Sequence, residues 1–380
     1  VFLVLCRCHN YSNGCVRQAL SKKLYELIFL KNISNFFGVK IVTEVLRVPY
    51  EVLCAEVKRV LCNAGVLAEQ ADVEARIMAE ADLLEVPSHG VRMLPGLLSA
   101  LMEARATKTP HFSLARELGA ICVLDCDNGP GRYASAQAMD AAIERARNFG
   151  VGVCLAKNTT HWGRAHAYAN RAAQAGFIGI CSTNALPTMA IWGAKTRVIG
   201  NNPLAIGIPS ANKNEPIVLD MAMSQAAVGK VTTWMREGKA APDNWGIDVE
   251  GNPTSDTKEI LKGAVIPMGE HKGAGLALMF ELLTAALAGA AFTHEIFARD
   301  SSGIDSTSSK IFIALNVEAF IERAEFNERV TDFLAYLGQN AAPFQYPGER
   351  GWEARNRNLI QGVPLHAEIV EQLAGVGVKF

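Results

Sequence analysis

The chain has almost no excess charge of either sign: 37 Lys and Arg stand against 38 Asp and Glu, a formal net charge of −1 over 380 residues. That balance leaves no electrostatic footprint for nucleic acid or for an anionic membrane surface, and neither partner is expected. Long apolar runs are missing as well. The run Leu27-Ile28-Phe29-Leu30 is broken at once by Lys31, far short of the roughly 20 residues a spanning helix needs. No cleavage site of small residues follows the apolar opening, so a secretory signal is not expected. A disulfide framework is not visible either. Nine cysteines are scattered through the chain, as in a protein of a reducing compartment, and the expected location is cytoplasmic. Cys6, Cys8, His9 and Cys15 lie close together but lack a second ligand pair at finger-like spacing, and no H-E-x-x-H occurs. No metal is expected, and residues 1–40 read as an extension without assigned function.

What is present is a well-buried globular chain, 49% hydrophobic and 20% charged, long enough for two domains or one large domain with helical additions. Val52, Leu53, Val57, Val60 and Leu61 carry helical spacing, which predicts a helix over 49–66. A second helix is predicted over 69–84. It ends at Val86-Pro87-Ser88-His89-Gly90-Val91-Arg92-Met93, where Pro87 turns the chain and a hydroxyl, an imidazole, a glycine and a guanidinium fall within five residues. Histidine titrates nearest neutral pH and is the usual proton donor or acceptor. The plain alternative for this turn is Ser88 as a helix N-cap with His89 solvated.

Further on, strands are predicted at 120–125 and 151–156 around a helix ending at Gly150, a βαβ unit and hence an α/β class. Gly129, Gly131 and Ala134 match a dinucleotide fingerprint in the required strand-to-helix context. The second strand, however, ends Leu155-Ala156-Lys157-Asn158, without the acid a ribose needs, so these glycines read as turn and close-packing residues. In Asn158-Thr159-Thr160-His161-Trp162-Gly163-Arg164, Thr160 is the expected N-cap of the next helix, with His161 in its first turn and kept neutral by the positive helix end. A strand at 177–184 opens onto Asn184. Another at 217–224 carries Asp220, read as a helix cap or as a partner for a ligand. Residues 236–263 read as a polar surface excursion, and Lys272, in the first turn of an apolar helix, calls for an anionic partner. A late strand covers 311–315.

The ordered set Ser88-His89-Gly90-Val91, Asn158-x-x-His161-x-Gly163, Asn201-Asn202-Pro203, Leu219-Asp220-Met221-Ala222, His271-Lys272-Gly273 and Pro347-Gly348-Glu349 closely resembles the malate/L-lactate dehydrogenase family that lacks a Rossmann fold. The resemblance spans roughly residues 45 to 380 and includes diketogulonate reductases, ureidoglycolate and sulfolactate dehydrogenases, hydroxycarboxylate dehydrogenases and cyclic-imine carboxylate reductases. It implies a three-layer α/β/α sandwich around a mixed sheet, sulfolactate dehydrogenase-like, with helical additions at both ends. Residues 41–115 would form an N-terminal helical part, 116–320 the cofactor-binding part and 321–380 a C-terminal helical part, in a homodimer.

The implied activity is hydride transfer between NAD or NADP, NADH favoured, and C2 of a small 2-oxo or 2-hydroxy acid. His89 takes the role of proton donor, with Ser88 beside it and His161 as the second active-site histidine. Asn184, the segment Pro216, Ile217, Val218, Leu219, Asp220, Met221 and Ala222, the pair His271 and Lys272, and Gly348, Glu349 and Arg350 take the cofactor-contacting positions. Many members carry an arginine four residues after the histidine, where this chain has Met93. Arg92 stands one residue earlier, about 100° round a helix, which weighs against it as the clamp for the substrate carboxylate. A cyclic-imine carboxylate reductase is the alternative within the family. A metal-dependent hydrolase using His161, His166 and Asp220, or a non-catalytic homologue, are the rivals outside it.

Overall fold

The structure, a computed structural model, describes residues 45–299, 301, 304 and 306–380. The expectations for residues 1–40, with Cys6, Cys8, His9 and Cys15, lie outside the described residues. After β1 (Val45–Val48) come α1 (Tyr50–Asn63), α2 (Ala68–Leu83) and α3 (Leu94–Met102). The α/β part follows with β2 (Ser113–Leu118), β3 (Ile121–Gly129), α4 (Gly131–Phe149), β4 (Val151–Thr159), α5 (His166–Gln174) and β5 (Phe177–Thr183). Short strands β6 (Met189–Ala190) and β7 (Arg197–Ile199) lead to β8 (Leu204–Ile208) and β9 (Ile217–Met221). Next are α6 (Val228–Arg236), β10 (Gly246–Ile247), α7 (Thr257–Lys262), β11 (Ala264–Val265), α8 (His271–Glu281) and α9 (Thr293–Arg299). The chain ends with β12 (Ser308–Asn316), α10 (Arg323–Asn340), α11 (Glu349–Gln361), β13 (Val363–His366) and α12 (Ala367–Gly375).

Seven strands form one sheet in the order β2-β3-β4-β12-β5-β8-β9. β3 and β4 run parallel across α4, the expected βαβ unit, and every other pairing in this sheet is antiparallel. The sheet is therefore mixed. β12 lies between β4 and β5, and the central position buries its first five residues, the polar Ser308, Ser309 and Lys310 as well as the start of the apolar run Ile311–Leu315. On one face α4 and α5 press alanines (Ala134, Ala138, Ala142, Ala169, Ala172) against Cys154, Cys181 and Phe312. The approach is close: a Cβ at Gly152 would overlap the Ala142 carbonyl. On the other face Leu155 and Ile311 meet Ala288, just beyond α8 and its π-type continuation Leu282–Ala286.

The N-terminal helices and the C-terminal segment share a second core. β1 pairs antiparallel with β13, and Leu53, Val57, Met78 and Leu94 pack with Leu365 and Leu373. Strands β10, β11, β6 and β7 make a small separate sheet, to which the 236–263 excursion contributes β10 and beside which it places α7.

Two local expectations are corrected. α5 begins at His166, so Thr160 is not its cap and His161 does not lie in a helical turn. The Thr160 hydroxyl is drawn instead to the start of α4, accepting from the Gly131 N–H at 2.9 Å and donating to the Gly129 carbonyl at 3.2 Å. Asp220 does not cap the helix that follows it, because that helix starts only at Val228; its carboxylate accepts the His166 N–H at the start of α5.

The reading of Gly129 and Gly131 as close-packing residues agrees with the structure, since a Cβ at Gly131 would overlap the Thr160 carbonyl. Replacing Gly131 with alanine must push the 160–161 loop away from α4. The expected loss is about 1–3 kcal/mol, the usual range for overpacking, measured by denaturant unfolding. An unchanged midpoint would show that the loop yields freely.

Candidate active site

The first histidine is held by the end of α2. Glu85 adopts a positive φ of 56°, and Pro87–His89 form a single 3₁₀ turn. Asp82, buried in α2, accepts the Val91 N–H at 2.7 Å, and its carboxylate fills the space where a Cβ of residue 90 would sit, so only glycine fits there. Burial pushes the Asp82 carboxyl up to about 7. Ser88 does not cap a helix. Its Oγ lies 2.9 Å from His89 Nδ1, leaving Nε2 for a ligand.

The second histidine sits on the loop between β4 and α5. His161 Nδ1 accepts the Gly163 N–H at 3.0 Å, which puts the proton of the neutral ring on Nε2, and the backbone N–H of His161 donates to the Ile304 carbonyl. Tyr168 pins the same loop by donating to the Trp162 carbonyl. The two imidazoles, 72 residues apart in the chain as 161 is from 89, come face to face: ring centroids are 6.1 Å apart and the planes differ by 22°.

Both rings are held neutral. Burial pushes His89 down to about 4; Arg164, Arg132 and Arg92 add to this, and the Asp220 carboxylate opposes it. His161 lies well below the ordinary imidazole range, chiefly by burial and then through Arg132, His89 and Lys310. The expected neutrality of His161 thus has a different cause from a helix end.

The rings line a cavity of about 560 Å³ together with Ser88, Asp220, Ala222 and Arg350. A second cavity of about 440 Å³ adjoins it, lined by Val218, Leu219, Gly348 and His166. Val86, Arg164, Asp220 and Arg350 form the wall common to both. The Val218 N–H donates to the Pro347 carbonyl at 2.9 Å, which ties the Pro347-Gly348-Glu349 turn to β9.

Other residues singled out in the sequence do not line these cavities. Pro216 accepts from the Trp352 indole through its carbonyl, Ile217 and Met221 are ladder positions of β9, and the Glu349 carboxylate accepts the Tyr346 N–H at the start of α11. Asn184 is fully buried; it donates to Glu281 and to the Ala291 carbonyl and accepts from the Ser309 N–H. His271 packs edge-on against Trp192, and Lys272 is exposed, with no ion pair among the described residues. Arg92 lines neither cavity; burial and then nearby Arg236 lower its pKa, with Glu368 and Asp82 opposing, and it stays a cation. Among the described residues His161, His166 and Asp220 form no metal-holding cluster.

Three charged groups escaped the sequence reading. Arg132 is 2% exposed and pairs with the fully buried Glu74 (Nη1 to Oε2, 3.3 Å), while its Nη2 lies 3.4 Å from Met93 Sδ. Lys310 is buried behind His161 and donates to the Thr160 carbonyl, Ser308 Oγ and Thr159 Oγ1. Arg164 donates through Nε to Asp220 Oδ2 at 3.2 Å. A lone lysine heading an apolar strand was the one visible signal for Lys310.

The described chain matches a family model, malate/L-lactate dehydrogenase, over residues 48–374. It is 32% identical over 341 residues to a malate dehydrogenase of Pyrococcus horikoshii, covering 86% of this chain and 94% of that one. It is 33% identical over 325 residues to a 2,3-diketo-L-gulonate reductase of Citrobacter koseri, covering 84% and 96%. The solved sulfolactate dehydrogenase of Methanocaldococcus jannaschii superimposes with a TM-score of 0.80 at 31% identity, over 87% of this chain and 96% of that one. With a mixed sheet flanked by helices, a paired-histidine cavity and a family match over most of its length, the chain belongs to the malate/L-lactate dehydrogenase family.

Proposed function

We propose that this oxidoreductase interconverts a 2-hydroxy acid and the corresponding 2-oxo acid, using NADH or NADPH, with NADH favoured. The observation that carries the reading is the pair of neutral imidazoles stacked at 6.1 Å on one cavity. The three named relatives act on different compounds, and all three compounds are carboxylic acids with oxygen on the adjacent carbon. The residues present suit a nicotinamide cofactor: two adjoining cavities share a wall with two guanidiniums, and His166 Nδ1 is buried on one of them without a hydrogen-bond partner. Bound there, the cofactor supplies or accepts the hydride.

The protein's own part is proton handling and position. In oxidation, neutral His89 takes the hydroxyl proton on Nε2 while Ser88 keeps the ring aligned through Nδ1. In reduction the same nitrogen returns a proton to the substrate oxygen, or to nitrogen in a cyclic imine. His161 donates from Nε2 and polarises the reacting oxygen. The test is a panel of 2-oxo acids and cyclic imines assayed with NADH and with NADPH. Consumption of reduced cofactor with at least one 2-oxo acid supports the reading, and silence across the panel refutes it.

A pH dependence follows from the depressed His89. Its ring should titrate near pH 4 in an NMR titration of the free enzyme, instead of near the ordinary 6.5. The rate of oxidation should hold as pH drops through 6 and fall only as the ring protonates. A midpoint at or above 6.5 would contradict the environment described.

The proposed assembly is a homodimer in a reducing compartment such as the cytoplasm. α10 has no buried residue and exposes Phe333 and Tyr336, while α8 and its continuation expose Leu276, Met279, Leu282 and Leu283. Apolar faces of this size favour cover by a second copy. Among the described residues Cys54, Cys62, Cys122, Cys126, Cys154 and Cys181 are free thiols.

A further inference from the structure

We propose that Arg164 holds the substrate's carboxylate, in place of the arginine this chain lacks at position 93. The inference rests on the 2-oxo acid reading above and assigns the specificity-determining residue of that site. Four observations carry it.

Position 93 is occupied by a methionine whose sulfur faces the buried Arg132 guanidinium, and Arg132 is itself committed to Glu74. Arg92, the neighbouring guanidinium, does not line the cavity. Arg164 does line it, three residues after His161 on the same loop, and stands on the wall shared with the second cavity.

The last observation concerns its hydrogen bonds. A guanidinium carries five N–H donors. Asp220 takes the one on Nε, which fixes the plane of the group, while Nη1 is buried and has no hydrogen-bond partner among the described residues. The guanidinium is thus oriented by Asp220 and keeps one buried nitrogen whose hydrogens no described protein group takes, a donor that an incoming carboxylate would satisfy. Asp220 spends the same oxygen on the His166 N–H, so the carboxylate that steers Arg164 is anchored to α5.

The charge balance of the lining agrees. Both imidazoles are neutral, and Arg164 and Arg350 face the single carboxylate of Asp220, leaving a net positive cavity for an anionic acid. Arg350 is exposed and lies in the first turn of α11, in the position that the family resemblance gives to the cofactor. Arg164 is the guanidinium beside the reacting histidines.

The experiment compares a 2-oxo acid with its methyl ester in wild type, Arg164→Gln and Arg164→Lys, and records the KM for NADH alongside. In wild type the acid should be strongly preferred. In Arg164→Gln, kcat/KM for the acid should fall roughly 10- to 100-fold, the size of a lost charge-assisted hydrogen bond. The value for the ester should stay within about threefold, so that discrimination collapses. Arg164→Lys should restore part of the preference, since it returns the charge without the fork. An acid-to-ester ratio unchanged in both variants overturns the assignment. So does a raised KM for NADH with the ratio retained, which would place Arg164 on the cofactor. A wild-type enzyme that reduces no 2-oxo acid refutes the underlying function itself, an outcome distinct from either.

Discussion

Replacing His89 with alanine should lower turnover by roughly 10²–10⁴-fold, the range a positioned acid or base contributes, while affinity for NADH changes little. The reasons are local. His89 lines the larger cavity, and its Nε2 has no hydrogen-bond partner among the described residues, since Ser88 engages Nδ1. The ring is not needed for the fold, because the turn that carries it is fixed by Asp82 on the Val91 N–H and by the close fit of Gly90. Stability should therefore be nearly wild type. Steady-state assays with a fluorescence titration of NADH separate the two quantities. Wild-type turnover in this variant would remove His89 from the chemistry, and a parallel loss of NADH binding would make it a binding residue.

Replacing Glu74 with alanine should be the most damaging substitution for stability. Glu74 is the partner of Arg132, both are buried, and the same carboxylate accepts the Tyr133 N–H at 2.8 Å in the first turn of α4. Removing it leaves a guanidinium stranded in the interior. Breaking such a pair costs about 3–5 kcal/mol, whereas replacing both members by apolar groups of similar size is often close to neutral. The expected pattern in denaturant unfolding at mildly alkaline pH is a large loss for Glu74→Ala and a much smaller one for Glu74→Leu with Arg132→Met.

The double variant carries a second signature. Arg132 lowers the basicity of both His89 and His161, so its removal should shift their titration toward higher pH. A double variant as unstable as Glu74→Ala would show that the loss does not come from a stranded guanidinium, and unshifted histidines would show that Arg132 does not set their basicity.

Much of this was legible in the sequence wherever the cause is local. The periodicity of α1, α2 and α4 and the apolar runs of β3, β4 and β5 fall where spacing predicts them, because short-range patterning decides which face is buried. Pro87 marked the turn that carries His89. The missing acid after β4 correctly turned Gly129 and Gly131 into packing residues.

What spacing does not report is where distant segments meet. β12 enters between β4 and β5, some 150 residues from its first partner, and β1 finds β13 across the whole described chain. Competition among local partners was equally hidden. Thr160 looked like a cap, yet its hydroxyl is claimed by Gly129 and Gly131, so the loop of His161 stays irregular and α5 takes its carboxylate from Asp220, on the far strand β9. Arg132, Lys310 and Arg164 owe their roles to such long-range neighbours. Their residue types were visible, but their surroundings were not.

The most direct measurement is the fate of the hydride: incubate the enzyme with NADH deuterated at C4 and a 2-oxo acid from the active panel, then locate the label by NMR and mass spectrometry. The account predicts deuterium on C2 of the hydroxy acid in wild type, with transfer slowed in the His89 variant. Product formed without deuterium at C2, or reduced cofactor left intact while the acid is consumed, would contradict it.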